Sequence, residues 1–420
     1  MLSTMFNYQY LGPDIVVGFD SYKYSCKDTS PLSNYVMHPF WNQIVKLCPR
    51  WVAPNLLTFV GFLCCIAHNA ITAVFDPHYQ ASVLGSGATP IPSWAWVLVS
   101  IFLFLAHTLD GIDGKQARRT GTSTPLGELF DHGCDSWSTL FITATFYSVF
   151  GRNGDGFSVP EFRMYFILWS VFFVFHIAHW EKYNTGIMYL PWSYDLAMLF
   201  GTVLYMSTAF GGFEMWKVKL PGGYSAGPVF EIILYVCCYL ISFFMTVKNI
   251  VSSYQNKTGK MKPLHECIRP MVSYTVAFVL CMGWVIWSKN NILENQLRLF
   301  FYMSGTLYAN MSCRLIIAQM SSTRCELLNY LLLPLALAMG VSVFGLLSLS
   351  QECWLLFALS ALITLAHLHY VICVVRQMCD HLKVDCFRIS SGGGPTAEHR
   401  LLPSSDEEED HDDDDEIISD

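Results

Sequence analysis

The chain has 420 residues, of which 53% are hydrophobic, 15% aromatic and only 14% charged, and its mean hydropathy is +0.37. Soluble domains carry roughly a quarter charged residues and ~20 apolar residues cross a bilayer, so this composition excludes an ordinary soluble protein. The net charge of −8 comes from the tail: the last fifteen residues, DEEEDHDDDDEIISD, hold eleven acids, and without them 25 Lys and Arg face 22 Asp and Glu.

The expected fold class is all-α, a polytopic membrane protein with about ten transmembrane helices and an N-terminal interfacial amphipathic helix. Three parts are expected: a cytosolic N-terminal segment (1–54), a transmembrane domain (55–378) and a disordered acidic tail (379–420) led in by SSGGGP (390–395). The first fifty residues hold no cleavable signal pattern, so the first membrane helix is expected to act as its own insertion signal. The fifteen cysteines form no C-x-x-C pair, and many (Cys64, Cys65, Cys237, Cys238, Cys281) sit in apolar runs, which points to small embedded hydrophobes rather than zinc or disulfides.

In SPLSNYVMHPFWNQIVKLCP (30–49), Pro31 and Pro39 suit first helical turns, and Leu32, Tyr35, Val36, Phe40, Trp41, Ile44 and Val45 recur at mostly helical spacing. That pattern predicts a helix in the membrane plane, with a cap packed on the bundle as the alternative. Spans are predicted at 55–75, 93–113, 131–150, 164–181, 194–212, 229–250, 271–288, 297–320, 326–348 and 353–376. An even count puts both termini on one side. Loops and span ends on that side carry 18 Lys and Arg against 6 opposite, which places the termini in the cytosol.

Polar groups inside spans need partners. Arg314, with Asn310 and Gln319 nearby, is read equally as an internal ion pair or a substrate contact, and His176, His179, His367 and His369 as hydrogen-bonded or interfacial histidines. The Asn310-Met-Ser312 sequon lies in a span and is discounted as a glycosylation site.

The densest polar stretch is HTLDGIDGKQARRTGTSTPLGELFDHGCDSWST (107–139). Asp110 and Asp113 are three apart, and Asp131 and Asp135 four apart, so each pair shares a helical face. Between them TGTSTP supplies a turn, with Thr124 as N-cap and Pro125 as first helical residue. Four converging carboxylates need cations or raised pKa values, and oxygen-only ligands suit two Mg2+ or Mn2+ ions that clamp a phosphoryl displacement. Gly111, Gly114 and Gly127 leave room at the backbone, Arg118 can grip phosphate through its planar fork, and Glu128, four residues before His132, can orient it as a base.

The run Asp110-Gly-Ile-Asp113-Gly114-x-x-Ala117-Arg118, eight residues, then Gly127-x-x-x-Asp131-x-x-x-Asp135 resembles the CDP-alcohol phosphotransferase signature at every fixed position. YVMHPFWN (35–42), APNLLTF (53–59), TPLGELFDHG (124–133), HWEKYNTG (179–186), LPW (190–192) and QMSSTRC (319–325) look like the eukaryotic ethanolaminephosphotransferases of the selenoprotein I group. The resemblance implies phosphoethanolamine transfer from CDP-ethanolamine to diacylglycerol or its ether-linked analogue, with CMP released. It also implies a homodimer in endoplasmic reticulum or Golgi membrane, with no nucleic-acid partner. It makes Asp110, Asp113, Asp131 and Asp135 metal ligands, and Asn55, Gly114, Ala117 and Arg118 contacts of the CDP moiety. It makes His132, supported by Glu128, the base, with Asp135 as the alternative. Choline or dual specificity stays open, because Trp180, Tyr183 and Trp192 could cage a quaternary ammonium while Glu181 and Asp195 could bind a primary amine. A transporter is the remote alternative.

Overall fold

The computed structural model describes residues 7–28, 30–152, 155–190 and 193–389. Residues 390–420, which hold the SSGGGP lead-in and the acidic run, and Trp192 lie outside the described residues, whereas the first residues of the expected disordered tail, 379–382, complete the last helix. The chain is mostly helical. A short helix α1 (Pro13–Asp20) and strand β1 (Cys26–Asp28) lead into a π-helical turn, Ser33–Met37, continuous with α2 (His38–Leu47). The bundle follows: α3 (Pro54–Phe75), α4 (Ser93–Thr120), α5 (Pro125–Phe150) and α6 (Glu161–Thr185), then strand β2 (Met188–Leu190) and α7 (Ser193–Gly211). Next come α8 (Ala226–Asn256), with a π-helical stretch Val236–Ser242, then α9 (Leu264–Trp287), α10 (Leu297–Met320), α11 (Leu332–Val343) and α12 (Leu349–Leu382).

Six of these helices (α3, α4, α6, α8, α9 and α12) are long and apolar enough to cross a membrane. Two departures from expectation have physical causes. The predicted span 326–348 contains only the twelve-residue α11, a length of about 18 Å at 1.5 Å per residue, short of the ~30 Å hydrocarbon core. Residues before it are held by polar contacts instead: Glu326 pairs with Arg314, and Asn329 Nδ2 donates to Asn310 Oδ1 at 2.8 Å. The second departure is a two-stranded parallel sheet in a chain expected to be all-α, pairing Cys26 with Met188, Lys27 with Tyr189 and Asp28 with Leu190. These three-residue strands have no strong sequence signature. Their effect is to tie the N-terminal segment to the end of α6.

Close helix contact depends on small residues. A Cβ on Gly61 of α3 would meet the Ala106 carbonyl of α4 at 3.4 Å, so glycine lets these helices touch backbone to backbone. α10 is buried on nearly all sides, polar residues included, and Tyr308 on it stacks on Phe172 of α6 at 4.4 Å between ring centroids. The amphipathic α2 packs on the bundle: Met37, Trp41 and Val45 are buried with Leu57 and Ile112. Tyr35, at 82% exposed, and Leu47, at 79%, point away. The apolar positions predicted there therefore divide between a bundle-facing row and an outward row.

Candidate active site

The α4–α5 hairpin forms as its residues dictate. Gly121 closes α4 in the left-handed conformation at φ 66°, which glycine adopts without penalty. Thr124 then caps α5 by accepting the Gly127 N–H at 3.3 Å, and Pro125 stands in the first helical turn. The hairpin brings carboxylate oxygens of Asp110, Asp113 and Asp131 within 4.8 Å of one another. Asp135, one turn beyond Asp131, faces the same cavity of about 1280 Å³.

Two unit charges at such spacing repel by roughly 3–4 kcal/mol at an effective dielectric of about 20. The nearby donors are few. Thr58 on α3 donates to Asp113 Oδ2 at 2.5 Å, and Tyr194 at the start of α7 donates to Asp110 Oδ2 at 3.1 Å. Asp131 Oδ1 is buried with no hydrogen-bond partner among the described residues. Three crowded oxygen donors with an orphaned buried oxygen fit a hard divalent cation such as Mg2+ or Mn2+.

The same cavity carries Gly114, Lys115, Arg118 and Arg119 on the α4 side, His132 and Asp135 on α5, and Lys27, Asp28, Asn34 and Asn42 from the N-terminal segment. Its lining also includes the apolar Phe62, Cys65, Ala106, Ile142, Phe175 and Met198. The cavity thus combines charged and apolar lining.

Residues 51–206 match the family described as CDP-alcohol phosphatidyltransferase. Over 385 residues the chain is 46% identical to the human protein named Ethanolaminephosphotransferase 1 and 45% identical to that of Mus musculus, covering 92% of this chain and 96% of each relative. It is 29% identical to Choline/ethanolaminephosphotransferase 1 of Arabidopsis thaliana, over 91% of this chain and 98% of the relative. The chain belongs to the CDP-alcohol phosphatidyltransferase family. It is a transferase.

Within this CDP-alcohol phosphatidyltransferase the remaining predicted residues separate clearly. Gly114 and Arg118 line the cavity, whereas Asn55 and Ala117 are not among its lining residues. Asn55 instead sits 3.6 Å from where a Gly127 Cβ would stand and donates to Cys386 Sγ at 3.8 Å. His132 is buried, with Nε2 3.6 Å from Asp131 Oδ2. Its Nδ1 lies 3.9 Å from Glu128 Oε1, beyond hydrogen-bond length, and has no partner among the described residues. Glu128 is engaged elsewhere: it pairs with Lys182, and Tyr22 donates to its Oε2 at 2.5 Å. Burial, then the neighbouring Glu128, pushes the Tyr22 hydroxyl well above the ordinary tyrosine range, so it stays a donor. Of the residues considered for head-group recognition, Asp195 lines the cavity. Glu181 accepts from Thr246 and Asn249, Trp180 donates to the Cys267 carbonyl, and the Tyr183 hydroxyl accepts the Cys325 N–H, all outside it.

Sequence reasoning missed several neighbours. Asp195 accepts from Ser33 and pairs with His107 at 2.7 Å, and the Trp41 ring meets His107 edge-on at 5.3 Å. A Cβ on Gly111 would collide with Trp41, so that glycine makes room for α2 rather than for substrate. Arg119 donates to the carbonyls of Val45 and Cys48, and Gln116 to those of Pro49 and Val52, which fixes the loop after α2. His107 was detectable, standing three residues before Asp110 on one face; Ser33 and Tyr22 left no signal in spacing. The span polar groups find partners within the bundle: Arg314 bonds Asn310 and Glu326 and lies 4.2 Å from the Tyr370 ring centre, and Asn310 is fully buried. His176 meets the Pro270 carbonyl, His369 the Tyr10 hydroxyl, and His367 the Trp137 ring, while His179 sits beside His132 at 5.2 Å.

Proposed function

We propose that this transferase is an ethanolaminephosphotransferase, moving phosphoethanolamine from CDP-ethanolamine to diacylglycerol or alkylacylglycerol to give phosphatidylethanolamine or its ether form and CMP. The observation that carries the ethanolamine assignment is the 45–46% identity to proteins named for that activity, against 29% to a choline/ethanolamine relative. A cavity lined by both charged and apolar side chains supports a soluble donor meeting a lipid acceptor.

Asp110, Asp113, Asp131 and Asp135 would hold two Mg2+ or Mn2+ ions. When bound, these supply charge neutralisation for the pyrophosphate and the leaving phosphate. Arg118 grips a donor phosphate oxygen through its fork, and Gly114 flanks the CDP moiety, with Asn55 and Ala117 standing outside the cavity lining. His132 takes the proton from the acceptor hydroxyl as its oxygen attacks the phosphorus that carries ethanolamine, and the bond to CMP breaks. A neutral imidazole with a free ring nitrogen is a better acceptor than a metal-bound Asp135. Glu128 acts with Lys182 and Tyr22 to fix the α5 face that presents His132.

The reading extends to a multi-pass protein of the endoplasmic reticulum or Golgi membrane, a homodimer, both termini and the active site cytosolic, and the outward row of α2 resting on the membrane surface. Its three parts are the N-terminal segment 1–54, the transferase domain 55–378 and the tail 379–420. The deciding assay offers CDP-ethanolamine and CDP-choline in parallel to purified protein in lipid with magnesium and diacylglycerol. Phosphatidylethanolamine and CMP should form, with CDP-choline turned over at least about tenfold more slowly. Equal turnover would instead support the dual-specificity reading, for which the cavity offers both Asp195 and aromatic Trp41 and Tyr194.

A further inference from the structure

The first turn of α7 meets α4 beside the carboxylate cluster through two consecutive residues. The Tyr194 hydroxyl donates to Asp110 Oδ2 at 3.1 Å, and Asp195 Oδ1 lies 2.7 Å from His107 Nε2. His107 and Asp110 are three apart on α4 and share one helical face, so one turn of α7 grips one turn of α4. The second oxygen of Asp195 accepts the Ser33 hydroxyl, from the π-helical turn before α2. Asp195 is buried and His107 completely so, and the His107 ring meets those of Trp41 and Tyr194 edge-on at 5.3 and 5.7 Å. A carboxylate with both oxygens taken and a ring packed on two aromatic rings leave this joint little freedom.

Tyr194 itself is 37% exposed. Water could serve its hydroxyl almost as well as a carboxylate does, so the bond adds little to folding. Its consequence falls on Asp110. A hydroxyl orients a carboxylate without neutralising it, whereas a Lys or Arg at this place would take over the charge that a cation needs. Asp113 is treated in the same way, by Thr58 of α3. We propose that Tyr194 is a positioning residue of the cation site: its hydroxyl holds the Asp110 carboxylate ready for a divalent ion, and Ser33, Asp195 and His107 hold Tyr194. The inference rests on the reading of the clustered aspartates as cation ligands.

The test uses the full chain in neutral phosphatidylcholine nanodiscs, without substrate, titrated with Mn2+ while the paramagnetic resonance signal of the free ion is read. Tyr194→Phe removes only the hydroxyl and should weaken Mn2+ binding about tenfold or more, as when a partner of a metal ligand is lost elsewhere. Its melting temperature without divalent ions should match that of the wild type. Ser33→Ala should weaken binding in the same direction and by less. In the transferase assay Tyr194→Phe should need more Mg2+ for half-maximal rate, and saturating Mg2+ should restore most of kcat. An Mn2+ affinity within about twofold of wild type overturns the positioning role. So does a lowered kcat that excess Mg2+ leaves low. Wild-type protein that binds no Mn2+ would overturn the cation reading and this inference with it. Binding that Asp131→Asn weakens and Tyr194→Phe leaves intact would overturn the inference alone.

Discussion

The two ends of the helix bundle treat buried charge in opposite ways. Away from the hairpin, several buried ions are matched, although Asp76, whose Oδ1 accepts the Gln80 and Ala81 N–H groups, leaves Oδ2 without a partner among the described residues. Asp155 pairs with Lys217 at 3.0 Å, with both side chains about 2% exposed, and Ser158 bonds each of them. Glu352 accepts from Trp284, Ser288 and Asn290 at 2.7–2.8 Å. Arg298 donates to the Asp76 carbonyl at 2.6 Å and covers the Tyr79 ring. At the hairpin end, Asp110, Asp113 and Asp131 crowd together with one hydroxyl donor each for the first two and a buried orphan oxygen on the third. Residues of the same types thus hold the fold at one end and leave an attraction for cations at the other. The lesson is that unmatched charge, rather than charge as such, marks the site.

The largest expected effect tests the unmatched end. Asp131→Asn should lower turnover on the order of 10³-fold or more, because one carboxylate fewer holds the cations of a phosphoryl transfer. Its melting temperature, measured without added divalent ions, should stay level or rise, since a like-charge neighbour is gone. A clear fall in stability would break the contrast between the ends. Next comes His132→Ala, expected to reduce kcat about 10²- to 10⁴-fold with donor binding retained, as for a lost general base. Near-normal turnover would remove His132 from that role.

Legibility followed the same divide. The hairpin could be read because its aspartates recur at three- and four-residue spacing on either side of a Thr124-Pro125 helix start, all within 26 residues of chain. Local geometry then does the rest. What closes over the hairpin could not be read, because it comes from far away: Tyr22 reaches Glu128 across 106 positions and Ser33 reaches Asp195 across 162. The direct hydrogen bond expected between Glu128 and His132 is missing for that reason. Four-residue spacing places Glu128 beside His132, but a distant Lys182 and Tyr22 compete for the carboxylate and hold it 3.9 Å away. Helix positions were legible from hydrophobic runs, whereas α11 came out short because Glu326 and Asn329 bind polar partners that no window of hydropathy records.

A smaller change in activity but a real one in stability is expected at the matched end. Lys217→Met leaves Asp155 buried without its ion partner, which costs about 3–5 kcal/mol in comparable buried pairs. Thermal unfolding should shift down while turnover at low temperature stays near normal. Turnover falling in step with Asp131→Asn would mean the two ends are not independent.

The smallest effect concerns acid. Burial pushes the Asp155 carboxyl up, but hydrogen bonds from Ser158, Lys217 and the N–H groups of Phe157 and Leu84 outweigh it and hold the group at about 2. An unfolded aspartate titrates near about 3.9, so the folded state binds this proton less readily. A depressed folded value contributes stability that is present above the unfolded pKa and is lost as pH falls through the folded one. The stability advantage of the wild-type chain over Asp155→Asn should therefore be constant at neutral pH and shrink between about pH 4 and pH 2. Thermal unfolding of the two proteins across that window measures it. A difference that stays flat down to pH 2 would mean the matched carboxylate is not stabilised by its donors, and pairing would no longer explain why the two ends differ.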